Sequence, residues 1–433
     1  MISEEKLKGD LGEEAVNTLA FDTYLKYWCY PGPKDEKGSR KEICDLLILF
    51  RDTMVILSVK NYGFKGNYDR YFRSTLDKAV SQVAGAERRL GDNSRDLFIS
   101  HANLGEMKFE FGKYQNIHRI IVNHNTAPLF YPGGRLTSTG KYVHIFNWDA
   151  FLGVVKELDT IPDFIQYLNA RELIFKDKKT TIMKGTEEGW DSEVQRSFYD
   201  YNTAQLDLGP NFLLISGTEN DLLADYLWHD RKFNKHFYDN SYNGGSFQLD
   251  GKWQDYLSQK EVQRKKSADF ASYFVDEFLK NEVLYNQDSS NLELAVELLS
   301  LSRFERRIVG SQFLSMLSQY KNLAKENIVR RYGKAGDLVI AFVLSSRDIP
   351  REMMVLLSQI AAEGYAYWNK YQDKKIAIIG FSQDGVGFVF GLLNVEPFST
   401  EREEITRLNL NDLKWFTNFE TFMINHKEYP EER

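Results

Sequence analysis

Asp45-Leu-Leu-Ile-Leu-Phe50 and Met54-Val-Ile-Leu-Ser-Val-Lys60 decide how this chain reads. Both runs are short, apolar and rich in branched side chains, and the polar Arg51-Asp52-Thr53 between them reads as a tight turn, so a β-hairpin is expected. A turn centred on Asp52 sets Asp45 opposite Val59, to within one residue, and so beside Lys60. The strand period of two places Ile56, Ser58 and Lys60 on one face and Val55, Leu57 and Val59 on the other.

Working outward, Leu7, Leu11, Ala15 or Val16 and Leu19 recur at helical spacing, which predicts a helix from about Ser3 to Leu19 with Ser3 as its N-cap. A charged loop from Lys34 to Arg40 separates it from the hairpin. Beyond Lys60, the polar stretch Asn61 to Asp69 leads to a second helix, Tyr71 to Leu90, marked by Leu76, Ala79 or Val80, Val83 and Leu90. Strands follow at Ile117 to Val122 and Tyr142 to Phe146, then two helices, the last opened by Thr160-Ile-Pro-Asp163. The expected fold class is an α/β domain over residues 1–175, a mixed central sheet flanked by helices. A linker is expected over 176–190, where Lys176, Lys178, Lys179, Gly185 and Gly189 interrupt the apolar periodicity. An α+β domain then spans 191–433, with helical patterns from Trp253 to Val283 and Asn291 to Leu323, a strand from Leu338 to Ser345, and a hairpin over Ser382-Gln-Asp-Gly385.

The 433 residues suffice for two or three domains, and 42% hydrophobic with 27% charged residues excludes a disordered or fibrous chain. Cys29 and Cys44 are too few for a disulfide framework, and no Cys/His spacing reads as a zinc site. The acidic start and the lack of a long apolar run argue against a signal peptide or a span, so a cytoplasmic protein without membrane partners is expected. A net charge of −7 argues against nucleic acid, but it is unevenly spread. Residues 1–178 carry 25 Lys and Arg against 24 Asp and Glu, and residues 51–100 carry nine against six. Arg70, Arg73, Lys78, Arg88 and Arg89 make that stretch the electrostatic candidate for phosphate contact. Elsewhere, Gly385-x-Gly387-x-x-x-Gly391 lies inside an expected strand rather than at a strand-to-helix turn, which argues against a dinucleotide fingerprint. His229 and His236 read as structural, and Arg303, Arg306, Arg307, Arg330 and Arg331 as acid-paired or solvated.

A lysine that ends an apolar strand, beside an aspartate that begins the next, suits metal-dependent phosphodiester hydrolysis. The carboxylate anchors a hard cation and the ammonium offsets charge near the attacking water. The same residue types also protect strand edges and solubilise turns.

The order of elements carries a resemblance. A helix with Gly9-x-x-x-Glu13, then Asp45, then a strand ending in Lys60, then a helix with Gln82, resembles the PD-(D/E)XK superfamily of restriction-endonuclease-like nucleases. Gly12-Glu13-Glu14-Ala15-Val16 is similar to the opening of its nuclease-related and Mrr-type branches. The resemblance covers about residues 8–90, with weaker support to 175. It implies a restriction-endonuclease-like domain that hydrolyses DNA with Mg²⁺ or Mn²⁺, in microbial defence or restriction. Asp45 resembles the metal-binding aspartate, Lys60 the catalytic lysine, Glu13 the first-helix acid and Gln82 the glutamine near the attacking water. Ser58 stands where the family has Glu, Asp or Gln, so one acid must come from elsewhere. Glu13 is the first choice and Glu14 could exchange roles with it, with Glu87 or Glu42 as substitutes. Glu42 ranks below Glu13 because, three residues before Asp45, it would face the other way in a regular strand. Two rivals stay open: a module that kept the fold and binds nucleic acid without cutting it, and an RNA nuclease with the same site. The C-terminal domain is expected to recognise a protein partner, a second copy or a trigger.

Overall fold

The computed structural model describes residues 4–24, 26–124, 128–185, 190–206, 211–238, 244–285, 289–370, 374–417 and 426–431. The expected cap Ser3 and residues 186–189 of the expected linker lie outside them. The chain divides into two compact units, 1–259 and 260–433. Among the described residues no helix is long and apolar enough to cross a membrane.

Unit 1 begins with α1 (Glu4–Tyr24), β1 (Cys29–Pro31), β2 (Leu46–Phe50) and β3 (Thr53–Lys60). A short turn, α2 (Tyr68–Arg70), passes through the π-helical stretch Tyr71–Asp77 into α3 (Lys78–Leu90). A ribbon of β4 (Leu97–His101) and β5 (Gly105–Phe109) precedes β6 (Asn116–Asn123), β7 (Phe130–Tyr131), β8 (Gly134–Leu136) and β9 (Tyr142–Asn147). Helices α4 (Trp148–Glu157) and α5 (Ile161–Phe175) follow, and Thr160 caps α5 as its sequence predicts. The unit ends with β10 (Lys179–Met183), α6 (Ser192–Leu206), β11 (Phe212–Ser216), α7 (Glu219–Trp228), β12 (Gly244–Gln248) and α8 (Lys252–Ser258).

The central sheet has six strands in the order β1-β2-β3-β6-β9-β8. It is mixed: β3, β6 and β9 run parallel, and the other pairs are antiparallel. The hairpin forms where the sequence places it, with Leu46 opposite Leu57 and Phe50 opposite Thr53, closed by Arg51 at a φ of 52° and by Asp52. β2 and β3 are buried along nearly their whole length, which is why both read as continuous apolar runs. α1 buries Gly12, Val16, Ala20 and Tyr24, a stripe of spacing four that lies beside the expected one and extends the helix past Leu19. A Cβ at position 12 would sit 3.4 Å from Val59 Cγ1, so α1 lies close on the Val59 face of β3. Ser58 and Lys60 face α3 on the other side.

The boundary falls elsewhere than expected. Residues 179–183 are a strand, not a linker: β10 pairs parallel with β11 and antiparallel with β7, and β11 pairs with β12, giving a second four-stranded sheet inside unit 1. Lysines flank this strand, but Thr180 to Met183 are buried, so the charge that suggested a linker belongs to its rim.

Unit 2 has α9 (Lys260–Asp269), α10 (Tyr273–Phe278), α11 (Ser289–Leu299) and α12 (Arg303–Gln319), then β13 (Ile328–Ala335), β14 (Leu338–Ser345), α13 (Arg351–Trp368), β15 (Lys375–Ser382), β16 (Val389–Asn394) and α14 (Thr400–Asp412). Its sheet runs β13-β14-β15-β16, with α13 as the crossover between the parallel β14 and β15. The expected β15–β16 hairpin is present. Arg303 and Arg306 bind Asp276 and Arg307 binds Asp269, all three buried, so they are acid-paired inside the unit rather than on its surface.

Candidate active site

The site is built where β2 begins and β3 ends. Continuing the ladder one step beyond Leu46 and Leu57 brings Asp45 opposite Ser58, one residue from the expected Val59. Ser58 Oγ donates to Asp45 Oδ2 at 3.0 Å and the Val59 N–H donates to the same oxygen, so two donors pin that carboxylate. The hydroxyl at 58 therefore orients the acid across the ladder.

Upstream, residues 42–45 do not continue β2 as a regular strand. They run beside the turn after β1: the Ile43 N–H donates to Pro33 O at 2.8 Å, the Gly32 N–H donates to Asp45 O at 2.9 Å, and the backbones of Lys34 and Glu42 pair as an isolated antiparallel bridge. Gly32 takes a φ of 49°, which a side chain would resist. This irregular backbone removes the strand alternation and turns the Glu42 carboxylate towards Asp45. Carboxylate oxygens of Glu13, Glu42 and Asp45 all lie within 4.8 Å of one another. Glu42, ranked below Glu13 on strand periodicity, thus joins the same cluster as Glu13. Glu14, the alternative on α1, is exposed.

Burial raises the pKa of Glu42 above the ordinary glutamate range, and the charge of Asp45 and a hydrogen bond between the two carboxyls raise it further, against the pull of Lys34 and Lys60. Crowded acids hold on to a proton in this way when no cation is present to separate them. Three carboxylates form an all-oxygen donor set, the kind that hard divalent cations take.

These residues open onto a cleft of about 340 Å³ lined by Glu42, Asp45, Ser58 and Lys60 on the sheet side and by Gln82, Val83, Ala86 and Arg89 on α3. The structure thus brings Asp45, Lys60 and Gln82 to one cleft, with Glu13 reaching its acid cluster. Lys78, one turn before Gln82, is exposed on α3 but does not line the cleft.

Two residues have other roles than the sequence offered. Glu87, a candidate for the missing acid, is buried on α3 and binds Arg119 through both oxygens, with Lys141 at 2.8 Å; these partners hold its pKa down. It fastens α3 to β6 and is not available to the cleft. Arg89 read as one charge in a basic run, yet it donates to Glu42 O at 2.8 Å, Lys41 O at 2.7 Å and Ser39 Oγ at 2.6 Å. That fork ties the Glu42 loop to α3. Nothing in the local sequence marks it, because its partners lie almost fifty residues away and two are backbone carbonyls.

Compared with known proteins, the chain matches no family model, and no curated protein or solved structure matches it.

Proposed function

We propose that this chain is a metal-dependent nuclease that hydrolyses DNA phosphodiester bonds in the cleft between β3 and α3. The observation that carries the reading is the meeting of three carboxylates from separate segments, Glu13, Glu42 and Asp45, at a cleft that Lys60 also lines. Like charges are not gathered without cost, and a divalent cation is what offsets them. Mg²⁺ or Mn²⁺ held there would supply positive charge to the phosphate and to the developing oxyanion. Lys60 would donate a hydrogen bond to the attacking water and balance the charge that grows on the phosphoryl oxygens. Gln82, exposed on the α3 wall, would orient that water or a phosphate oxygen. Arg89 would keep the Glu42 loop in place while the cation is bound. The microbial defence setting is proposed on the family resemblance; recognition of a partner, second copy or trigger is proposed for the C-terminal part, which that resemblance does not cover.

A second reading, a nucleic-acid-binding module without catalysis, is favoured by Ser58 alone, and the presence of two further acids beside Asp45 weighs against it. Nicking of supercoiled plasmid with Mg²⁺ or Mn²⁺ tests the choice, with a structured RNA as parallel substrate. Cation-dependent cutting of plasmid, lost in Lys60→Ala, is the expected result. Tight plasmid binding with no cutting under either cation would replace the enzyme by the binding module, and cutting of RNA alone would change the substrate.

A further inference from the structure

The opposite face of the central sheet holds a second cluster of ligand-type side chains. β6 and β9 run parallel with Ile120 opposite His144, so His118 and His144 share a face on neighbouring strands, two residues out of register, with ring centroids 5.7 Å apart. α5 packs on this face and brings Glu172 to the pair. One nitrogen of each imidazole and one carboxylate oxygen of Glu172 lie within 4.8 Å of one another.

His118 is 2% exposed and His144 fully buried, and among the described residues neither ring nitrogen of His118, nor Nε2 of His144, has a hydrogen-bond partner. A buried polar atom left unpaired costs about 1–3 kcal/mol, and each neutral ring has one lone-pair nitrogen that a cation could take. Burial keeps both rings neutral, helped by Arg119 at His118 and by Arg171 at His144, and His118 is pushed down to about 4. Neutral imidazole is the metal-binding form.

We propose that His118, His144 and Glu172 bind one Zn²⁺ ion, which staples α5 onto β6 and β9. Two imidazoles and a carboxylate suit zinc, whereas Mg²⁺ prefers oxygen ligands alone, so the two ligand clusters of unit 1 differ in the cation they suit. Ligand atoms around a four-coordinate zinc sit roughly 3.3–3.5 Å apart for bonds of ~2.0–2.2 Å, so loading contracts the cluster by at most about 1.5 Å. Glu172 is partly exposed and can supply that movement by releasing Lys176, 3.6 Å away. The nearby guanidiniums each have their own carboxylate, Arg171 with Glu219 and Arg119 with Glu87. Arg171 Nη1 lies 3.4 Å from His144 Nδ1. Coordination through Nε2 puts the ring proton on Nδ1, so Nη1 must turn from it towards Tyr142 Oη, already 3.5 Å away.

The test uses the untagged full-length chain, stripped with EDTA, dialysed against Zn²⁺ and measured by inductively coupled plasma mass spectrometry. One zinc per chain is expected in the wild type and in Asp45→Asn, and none in His118→Phe or His144→Phe. Replacement by Co²⁺ should give the visible absorption of a four- or five-coordinate N/O site, and excess Mg²⁺ should not displace the ion. Glu172→Gln, at a partly exposed position, should keep the fold and weaken zinc binding by about 10-fold or more. A wild type that retains no zinc overturns the proposal, as does equal binding by Glu172→Gln. Loss of the ion in Asp45→Asn would assign it to the cleft and overturn the proposal too.

Discussion

With a hydroxyl at position 58, Asp45 has a donor across the ladder instead of a like charge, and the acids of the cluster come from Glu13 and Glu42. The two strand residues therefore separate in their expected effects. Lys60→Ala should lower cleavage by about 10²–10⁴-fold, the usual range for a group that handles the proton and charge of the reacting centre, while thermal unfolding stays close to wild type. Ser58→Ala should cost only about 2–13-fold, since one hydrogen bond of ~0.5–1.5 kcal/mol is lost. Plasmid-nicking rates for the two variants check this order, and a larger loss at Ser58 would make the hydroxyl more than an orienting group. Glu42 gives a pH prediction. Its pKa is raised in the folded chain, so the folded state holds more proton than the unfolded state between the ordinary glutamate value and the raised one. Stability without cation must then fall as pH rises through that window. A cation replaces the proton, so the rise in Tm on adding Mg²⁺ should be larger at about pH 7 than at about pH 5, and smaller in Glu42→Gln. A Mg²⁺ effect independent of pH would remove Glu42 from the ligand set. That Asp45 and Lys60 lie side by side was legible because a hairpin's register follows from its turn, whereas Gln82, which lines the same cleft, was singled out by the family resemblance. The direction of Glu42 was not legible, because strand alternation turns it away only if residues 42–45 are a regular strand, and they follow the Gly32 turn instead.

At the scale of elements, what holds α7 to α5 is a buried ion pair with no surface outlet. Arg171 and Glu219 are both fully buried, joined through Nε–Oε1 at 2.7 Å and Nη2–Oε2 at 3.0 Å. Tyr167 Oη donates to the same Glu219 at 2.7 Å, and Arg171 reaches Ile145 O at 3.1 Å. Removing one partner strands the other charge, so Glu219→Ala should cost about 3–5 kcal/mol, read as a fall in the urea midpoint. The paired replacement Arg171→Met with Glu219→Leu should recover most of that loss, because the desolvation of both ions is then avoided. No recovery would mean that the bonds to Tyr167 and Ile145 matter more than the charges. This pair was invisible in the sequence, since its partners are 48 residues apart and nothing local joins them. β10 and β13 were missed for a related reason. β13 has Arg330, Arg331 and Lys334 on an edge strand that is only half-buried, so it shows neither a continuous apolar run nor clean alternation. Its arginine finds an aromatic partner instead: Arg330 lies 4.3 Å from the Trp415 ring. α13 hid its periodicity because Met353, Val355 and Leu356 remain exposed on the side away from its buried face.

For the whole molecule, a short fragment and a long one should behave differently. The sequence suggested that residues 1–175 would be a domain, because apolar periodicity fades after Phe175 and lysines begin. The chain instead stays in one unit to Gln259. Ending it at residue 175 leaves β7 without β10 and removes Glu219, so Arg171 is stranded at a fully buried position. A stranded buried charge of about 3–5 kcal/mol takes up much of the about 5–15 kcal/mol that a typical domain holds in reserve, and the strand edge left unpaired adds a site for association. Residues 1–175 should therefore aggregate or unfold without cooperativity, whereas 1–259 should unfold in one cooperative transition by circular dichroism. The longer fragment contains the whole cleft and the net-positive stretch 51–100, so it should bind duplex DNA by itself. If phosphate contacts dominate, that affinity should fall steeply as salt rises. Arg73 already pairs with Asp69 at 2.9 Å, so Lys78 and Arg88, exposed on α3, are the better reporters. Lys78→Glu with Arg88→Glu should weaken binding and flatten its salt dependence while leaving the melting curve unchanged. A cooperative 1–175 fragment would restore the shorter domain, and a 1–259 fragment that folds but ignores DNA at low salt would count against a nucleic-acid substrate in this cleft.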